Sequence, residues 1–394
     1  AELKQKMQVV TDLGLINALL SWDQSTYMPP GGAPARGRQS AMLGEMQQER
    51  MVDPEIGRLL DKLEPWAETL DADSDDAAYI RATRRGYDKM VKIPPQLMGE
   101  LYGHIAESYQ KWTEARPNND FKGMIPALEK TLEYSRKIAD CFPGYDHIAD
   151  PLIDFQDYGM KAETVSQVFA ELRAELVPLV EAILAKEEVD NSVLHKHYPI
   201  EAQEAFGKEI ITAFGYDFQR GRQDLTHHPF MTKFSLGDVR ITTRFKEDDL
   251  GDGLFSTTHE SGHAMYEQGI DPAYEGGPLA DGTSAGVHES QSRLWENMVS
   301  RSKPFWSYYL PKARDYFPEQ LGDVSLEEFY KAINKVSRSL IRVDADEVTY
   351  NLHVMIRFDL ELALLEGKLA VKDLPEAWNA RYQQDLGLRP HNDS

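Results

Sequence analysis

Three features are scarce in this chain of 394 residues, and each shortage excludes a class of protein. Its single cysteine, Cys141, can form neither a disulfide framework nor a thiolate zinc cluster, which favours a reducing compartment. No uninterrupted apolar run approaches the ~18 residues of a membrane-spanning helix, and the first residues lack the layout of a signal peptide. We therefore expect a soluble, cytoplasmic protein.

The third shortage is of positive charge. Lysine and arginine together number 43 against 65 aspartates and glutamates, which gives a net charge of −22. A field of that sign repels nucleic acid and anionic membranes, and no basic stripe offsets it. We therefore expect neither a nucleic-acid partner nor a membrane partner.

Two common catalytic patterns are missing as well. The glycine-rich loop at residues 275–286 has no strand before it and no Gly-Lys-Ser/Thr after it, which argues against a phosphate-binding loop. Neither a nucleophile elbow nor a Ser-His-Asp order is identifiable, so serine-type hydrolysis has no support.

Helical periodicity dominates the chain and predicts an all-α fold with one small β element. Besides two helices at the motifs described below, the predicted helices span residues 4–22, 33–50, 77–91, 95–115, 125–140, 162–187, 201–214, 303–316, 325–340, 344–366 and 372–386. Ser325 and Glu328 fit a capping box at the start of one of them. We expect one large domain over residues 1–394. It could be divided into two lobes around a groove, at about residues 1–215 and 216–394.

One stretch departs from helical periodicity. Residues 230–234 and 239–245 flank Leu236-Gly237-Asp238, and the second segment alternates apolar and polar residues, which predicts a hairpin with a half-buried second strand. An extended peptide can pair along the open edge of such a strand. An ordinary structural hairpin is the alternative interpretation.

The pentapeptide His259-Glu260-Ser261-Gly262-His263 is the most informative feature that is present. Positions i and i+4 share one helical face, so both imidazoles can reach a single zinc ion at roughly 2.0–2.1 Å. Glu260 points about 100° round the helix, where it can act as a general base on water instead of as a ligand. A histidine pair of the core or surface is the alternative.

The residues on either side of this pentapeptide predict where its helix begins and ends. Hydroxyl side chains at residues 256–258 suit a helix start. Gln268-Gly269 suits a stop, because glycine tolerates the left-handed conformation that often follows a helix.

A zinc site needs a third protein ligand. The metzincin pattern requires a histidine six positions after His263, but this chain has Gly269 there, so that pattern is excluded. The other arrangement takes a glutamate from a downstream helix, and Glu289, 26 positions after His263, is the candidate. A solvated acid at the start of a helix is the alternative for Glu289. The predicted apolar side of that helix is Leu294, Trp295 and Met298.

A polar stripe follows later in the chain. Its members recur at steps of four, four, three and four, so they share one helical face: Arg342, Asp346, Tyr350, His353 and Arg357. Such a stripe is usually the wet surface of its helix. The wall of a cleft is the second interpretation.

These pieces together resemble the thermostable (Taq-type) metallocarboxypeptidase family. The matching segments are His228-Pro229-Phe230, Asp238-Val239-Arg240-Ile241-Thr242, His259 to His263, His288-Glu289-Ser290-Gln291, Ile341 to Asp346 with Tyr350, Leu20-Ser21-Trp22-Asp23-Gln24 and Met28-Pro29. Ordered motifs over most of the chain are more specific than the zinc motif alone.

The resemblance implies an almost wholly helical fold with a long substrate groove, related to neurolysin and angiotensin-converting enzyme. It implies homodimers, broad removal of C-terminal amino acids from peptides, and zinc that cobalt or manganese can replace. It also favours Glu289 as the third ligand. One departure concerns the C-terminus: family members continue beyond the match to Asp393-Ser394 with Gln-Asp-Val-His-Trp and Phe-Gly-Tyr segments, which are absent here.

A zinc ion at this motif predicts roles for further residues. Glu260 would take a proton from water and deliver it to the leaving amine. A donor such as His228 or Tyr350 would help the zinc ion to stabilise the charge of the tetrahedral intermediate. An exopeptidase must bind a free carboxylate, which arginine does bidentately, so Arg342 is the first candidate and Arg240 the second. A structural salt bridge is the alternative for each arginine.

Two other functions remain open at the level of sequence. The nearer is a metallo-endopeptidase or dipeptidase acting in the same groove. The more distant is an inactive, truncated helical protein that binds a metal without catalysis.

Overall fold

The computed structural model describes residues 1–390, apart from the side chain of residue 106. The Asp393-Ser394 match and the C-terminal departure that it marks lie outside the described residues. The helices of the described part, numbered in chain order as α1–α16, are Glu2–Thr26, Ala33–Met51, Pro54–Ala67, Asp75–Lys92, Pro95–Ala115, Phe121–Asp140, Asp150–Asp154, Ala162–Leu184, Ile200–Phe214, Leu250–Gln268, Ala285–Arg293, Lys303–Tyr316, Pro318–Leu321, Leu326–Ile333, Glu347–Leu365 and Leu374–Leu386. The strands β1–β3 are Gln223–Leu225, Met231–Ser235 and Asp238–Thr243.

The chain forms two compact units, and each combines two separate stretches of sequence. The first unit contains Ala1–Val91 and Asp190–Ile333, and the second contains Lys92–Val189 and the chain from Asn334 on. Their boundaries therefore differ from the two lobes suggested at residue 215. None of the helices within residues 1–390 is long and apolar enough to cross a membrane.

The first unit has its main core around the aromatic side chains of α9, α12 and α14. Phe206, Trp306, Phe317 and Phe329 have no solvent exposure there. A second cluster joins the sheet to α10 through Val239, Ile241 and Ala264, together with residues of the α9 end. This second cluster fixes α10, which carries the metal motif, against β3.

The second unit packs α15 between α8 and α16. Its buried side chains follow the helical period of α15 and are met from α8 and α16: Val180, Leu352, Met355, Ile356, Leu360, Tyr382 and Leu386. Amphipathic helices that bury one face in this way account for the mainly helical fold predicted from periodicity.

The capping box at Ser325 is present. The main-chain N–H of Ser325 donates to Glu328 Oε2 at 2.8 Å, and that of Glu328 donates to Ser325 Oγ at 3.2 Å. The helix that follows, however, ends at Ile333 and not at residue 340. The next long helix begins at Glu347, because the Asp346 carboxylate accepts from the N–H groups of Val348 and Thr349 and so caps it.

The sheet has three strands in the order β1-β3-β2 and not the two of the predicted hairpin. β2 and β3 pair antiparallel as expected, but β1 pairs in parallel with the other edge of β3, from Gln223 opposite Ile241 to Leu225 opposite Thr243. The expected open edge on β3 is therefore wrong, because neighbours occupy both of its edges. The outer edges of this sheet belong to β1 and β2.

Helix α10 begins earlier than predicted and ends where predicted. Its cap is Asp249, whose carboxylate accepts from the N–H groups of Gly251 and Asp252, so the start precedes the hydroxyls at residues 256–258. Gly269 follows its last residue but has φ −78°, which is right-handed, so the predicted left-handed stop is wrong. A Cβ at Gly269 would lie 3.1 Å from the Met265 carbonyl oxygen, which gives glycine a steric reason there instead.

Candidate metal centre

Helix α10 brings His259 and His263 onto one face, as the spacing predicts. Their ring centroids lie 5.0 Å apart. Both side chains are mostly buried, with 16% and 17% of their surfaces exposed. The helix is held by apolar burial on its other sides, through residues such as Leu254 and Ala264, so the two imidazoles sit on a rigid element.

Helix α11 brings Glu289 to the same two imidazoles. Its Oε2 lies 3.6 Å from Nε2 of His259 and 3.4 Å from Nε2 of His263. In a tetrahedral zinc site with bonds of about 2.0–2.2 Å, neighbouring ligand atoms are separated by roughly 3.4 Å. The three donor atoms all lie within 4.8 Å of one another, so this group fits a zinc ion in both geometry and donor chemistry.

Gly262 permits this approach of the two helices. A Cβ at that position would lie 2.7 Å from the Gln291 carbonyl oxygen and 2.7 Å from the Ser292 Cα, both of which belong to the main chain of α11. Any larger residue would therefore separate α10 from α11. The glycine inside the histidine motif is what lets Glu289 reach the histidines.

The charges of the site hold Glu289 ionised. Burial alone would raise its pKa, but the neighbouring His263, His259 and Arg293 outweigh burial and lower the pKa to about 2. Arg293 Nε donates to Glu289 Oε1 at 2.9 Å, which leaves Oε2 directed at the histidines. An ionised carboxylate is the form that can bind a metal.

The Nδ1 atom of His259 has its own carboxylate partner. It lies 2.8 Å from Glu296 Oε2, and the other oxygen of Glu296 accepts from Arg301 at 3.3 Å. Burial would raise the pKa of Glu296, but His259, Arg301 and Arg293 lower it to about 2. A carboxylate on Nδ1 holds the proton there and leaves Nε2 free to bind a metal.

Glu296 reaches His259 from a π-helical turn, Leu294–Val299, that continues α11. This wider turn breaks the 3.6-residue period, so the predicted apolar side of the helix is only partly correct. Trp295 packs on Phe214 with 4.4 Å between ring centroids, whereas Met298 is 72% exposed. Such turns occur often at functional sites.

The Nδ1 atom of His263 contacts a second imidazole. It lies 2.7 Å from Nδ1 of His288, whose Nε2 lies 2.9 Å from Glu267 Oε1. The other oxygen of Glu267 accepts from Lys233 Nζ at 2.6 Å. Burial would raise the pKa of Glu267, but His288 and Lys233 lower it.

Glu260 lies apart from the ligand face, as its place on the helix predicts. It is 7% exposed. Burial raises its pKa to about 7; His259 and a hydrogen bond from the main chain of Met231 oppose that rise, and Glu289 adds to it. A carboxyl group with such a pKa can both take and release a proton at neutral pH.

The first unit also contains Arg240 and His228. Arg240 Nε and Nη2 each donate to Asp238 at 2.8 Å, and its guanidinium lies over the rings of Trp22 and Phe234, 4.5 and 4.9 Å from their centroids. This is the geometry of the structural salt bridge named above as the alternative for Arg240. His228 is exposed in the loop between β1 and β2.

Arg342 and Tyr350 belong to the second unit and contact each other: Arg342 Nη1 donates to the Tyr350 hydroxyl. The stripe to which they were assigned is not one wet helical face. Arg342 precedes α15 in a short 3₁₀ turn. His353 is fully buried, 3.1 Å from the Tyr382 hydroxyl, and Arg357 lies over the Trp378 ring at 5.1 Å.

No role for Glu296, Glu267 or Lys233 is predicted from the sequence. Glu267 follows the two histidines of α10 at the same step of four, which was an available signal that it shares their face. The contacts made by Lys233 and Glu296 depend on pairing between segments distant in sequence. Spacing within one helix could not have found those two.

Comparisons with known proteins show the family to which the chain belongs. The model of the carboxypeptidase Taq (M32) metallopeptidase family matches residues 2–394. The chain is 45% identical over 388 residues to thermostable carboxypeptidase 1 of Thermus thermophilus, covering 96% of this chain and 76% of that protein. It is 36% identical to carboxypeptidase 1 of Bacillus subtilis, covering 96% and 75%.

Solved structures are similar as well. The M32 carboxypeptidase of Deinococcus radiodurans superimposes with a TM-score of 0.95 at 52% identity, covering 100% of this chain and 78% of that one. The Pyrococcus furiosus carboxypeptidase gives 0.92 at 31% identity, covering 99% and 78%. The helical fold expected from the sequence is thereby confirmed.

Proposed function

We propose that His259, His263 and Glu289 hold the metal ion of this protein. The chain belongs to the carboxypeptidase Taq (M32) metallopeptidase family and is a metallocarboxypeptidase. The observation that supports the ligand assignment is the position of one Glu289 oxygen, 3.4 and 3.6 Å from Nε2 of the two histidines. Two imidazoles and one carboxylate are the ligand set of many zinc hydrolases, in which a fourth position stays open for chemistry.

Zinc is the proposed metal, with cobalt or manganese as substitutes. When bound, the ion supplies Lewis-acid polarisation of the scissile carbonyl and acidifies a water molecule. The family implies a metal, and the donor set of this chain supports zinc among the candidates.

Glu260 is the proposed general base. Its buried carboxyl group has a pKa raised to about 7 by burial, and a divalent cation nearby favours the ionised form. Glu260 therefore accepts a proton from the attacking water and then delivers it to the nitrogen of the leaving amine. The released products are a free C-terminal amino acid and the shortened peptide.

Arg342 is the proposed partner of the substrate's terminal carboxylate, and Arg240 is the second candidate. The guanidinium of Arg240 is already bonded to both oxygens of Asp238, which supports placing it second. His228 and Tyr350 are proposed as donors to the oxyanion that develops during attack. In Arg342→Ala, the preference for a free-acid peptide over its amidated form should fall; an unchanged preference clears Arg342 of this role.

Broad specificity, a homodimer and a cytoplasmic location complete the proposal. The first two are drawn from the family resemblance, and the third is drawn from composition. Sedimentation at several protein concentrations tests the dimer, and a panel of peptides that differ only in their last residue tests specificity.

The experiment that tests the function follows the mass of a free-acid peptide during incubation with the enzyme. We expect loss of one residue at a time from the C-terminus, stopped by a chelator and slowed about 10²- to 10⁴-fold in Glu260→Gln. Glu204→Gln, which changes a partly exposed acid on α9 that pairs with Lys208, is the matched control. Full activity in Glu260→Gln would refute the assigned base, and cleavage of an amidated peptide at internal bonds would indicate an endopeptidase.

A further inference from the structure

We propose that a chain of hydrogen bonds through Lys233, Glu267 and His288 sets the tautomer of His263, so that its Nε2 is kept free of a proton for the metal. This inference rests on the proposed ligation by His263 and adds three positioning residues to it. None of the three touches the reacting atoms, and each acts through its neighbour.

The chain is continuous from one end to the other. Lys233 Nζ donates to Glu267 Oε2 at 2.6 Å. His288 Nε2 lies 2.9 Å from Glu267 Oε1, and His288 Nδ1 lies 2.7 Å from His263 Nδ1. The remaining nitrogen of His263, Nε2, faces Glu289 at 3.4 Å.

When both imidazole rings are neutral, only one arrangement of protons satisfies every link. Lysine can only donate, and a carboxylate paired with lysine can only accept, so the N–H of His288 must lie on Nε2, directed at Glu267. Nδ1 of His288 then carries a lone pair and must accept. The N–H of His263 therefore lies on Nδ1, which leaves its Nε2 lone pair for a metal.

Burial makes this arrangement rigid. Only 3% of the Glu267 side chain and 13% of the Lys233 side chain are exposed. Lys233 is fixed further by the Asp281 carboxylate at 3.0 Å and by the Ala280 carbonyl oxygen. A buried donor facing another donor would cost about 1–3 kcal/mol, so reversing the chain is unfavourable.

The two proposed histidine ligands are thus held differently. His259 meets the carboxylate of Glu296 directly, at 2.8 Å. On its Nδ1 side, His263 reaches a carboxylate only through the intervening ring of His288. A substitution at Glu267 therefore acts on His263 from two hydrogen bonds away.

The test replaces Glu267 with glutamine, whose side chain has nearly the same shape. The two carboxylate oxygens both accept hydrogen bonds, whereas the amide has one oxygen that accepts and one NH₂ group that donates. Lys233 will draw the amide oxygen, so the amide NH₂ turns towards His288. That ring must then accept at Nε2 and carry its proton on Nδ1, facing the N–H of His263. We expect Glu267→Gln to weaken zinc binding about 10- to 100-fold, measured by competition with a chromophoric chelator.

A second variant separates the proton arrangement from simple damage. In Lys233→Met combined with Glu267→Gln, nothing draws the amide oxygen away from His288, so the original tautomers return. Zinc affinity should recover towards that of the unsubstituted enzyme, although the double variant removes more contacts. Glu209→Gln breaks a comparable ion pair with Lys312, at 2.7 Å and with no imidazole, and is the control that should leave zinc affinity unchanged.

Nitrogen NMR of ¹⁵N-histidine-labelled enzyme gives a readout that needs no metal. We expect His263 protonated on Nδ1 and His288 protonated on Nε2, and the reverse for His288 in Glu267→Gln. Unchanged zinc affinity in Glu267→Gln, or a double variant weaker than the single one, would overturn the proposal. If the unsubstituted enzyme takes up no zinc, the ligand assignment fails. If NMR instead finds the proton of His288 on Nδ1, the proposed arrangement of hydrogen bonds is overturned, whether or not zinc binds.

Discussion

Substitution of Gly262 by alanine is the sharpest perturbation that the structure offers. The new methyl carbon would lie 2.7 Å from two main-chain atoms of α11, the Gln291 oxygen and the Ser292 Cα. Carbon atoms need about 3.5 Å, so the helices must separate by roughly 0.8 Å. Main-chain atoms cannot rotate away as a side chain can, and the strain therefore falls on the gap between α10 and α11.

The magnitude of the effect follows from the metal geometry. Distances of 3.4 and 3.6 Å from Glu289 Oε2 to the histidine nitrogens would rise above about 4 Å. One zinc ion reaches that far only when ligand, metal and ligand are almost collinear, which tetrahedral coordination does not allow. We expect zinc affinity to fall by at least about 100-fold, more than for the loss of an outer partner.

The same substitution should leave the protein folded. Overpacking costs about 1–3 kcal/mol, which is small beside the roughly 5–15 kcal/mol of a typical protein. Chelator competition and circular dichroism on Gly262→Ala therefore separate the two effects. Gly44→Ala in α2, where an added Cβ meets nothing within 4 Å, is the matched control. The reasoning fails if Gly262→Ala binds zinc as tightly as the unsubstituted enzyme.

Three further predictions concern other positions. Glu296→Gln should weaken zinc binding about 10-fold or more, because the partner of His259 Nδ1 loses its charge; chelator competition measures this. Burial and the charge of Arg357 lower the pKa of His353 to about 4. Since only the unfolded chain then binds this proton between pH 6.5 and 4, stability should fall by about 1–3 kcal/mol as pH drops through that window. Denaturant titrations of His353→Gln should show a smaller fall. Gly215→Ala, at φ +114°, should cost about 1–2 kcal/mol of unfolding free energy.

Periodicity and spacing predict most of the helices, because each helix is formed by residues that are close together in the sequence. The pairing of His259 with His263 and the capping of Leu326–Ile333 both depend on residues three or four positions apart, so the sequence contains them directly. The boundaries were less accurate where a side chain such as Asp249 or Asp346 caps a helix. These caps set where α10 and α15 begin, and the apolar pattern alone does not show which residue caps the helix.

Features that depend on distant residues could not be predicted in this way. Strand β1 has three residues and pairs in parallel with a strand some distance along the chain, so neither its length nor its alternation distinguishes it from a loop. The contact between His263 and His288 likewise crosses from α10 to α11. Those helices approach each other closely at Gly262, and a glycine in the sequence does not by itself reveal which helix packs against it.

Anomalous X-ray scattering at the zinc edge, from crystals of zinc-loaded enzyme, tests the metal assignment most directly. We predict one strong peak at about 2.0–2.2 Å from Nε2 of His259, Nε2 of His263 and a carboxylate oxygen of Glu289. A peak at any other site, or one beyond bonding distance of Glu289, would contradict the assignment.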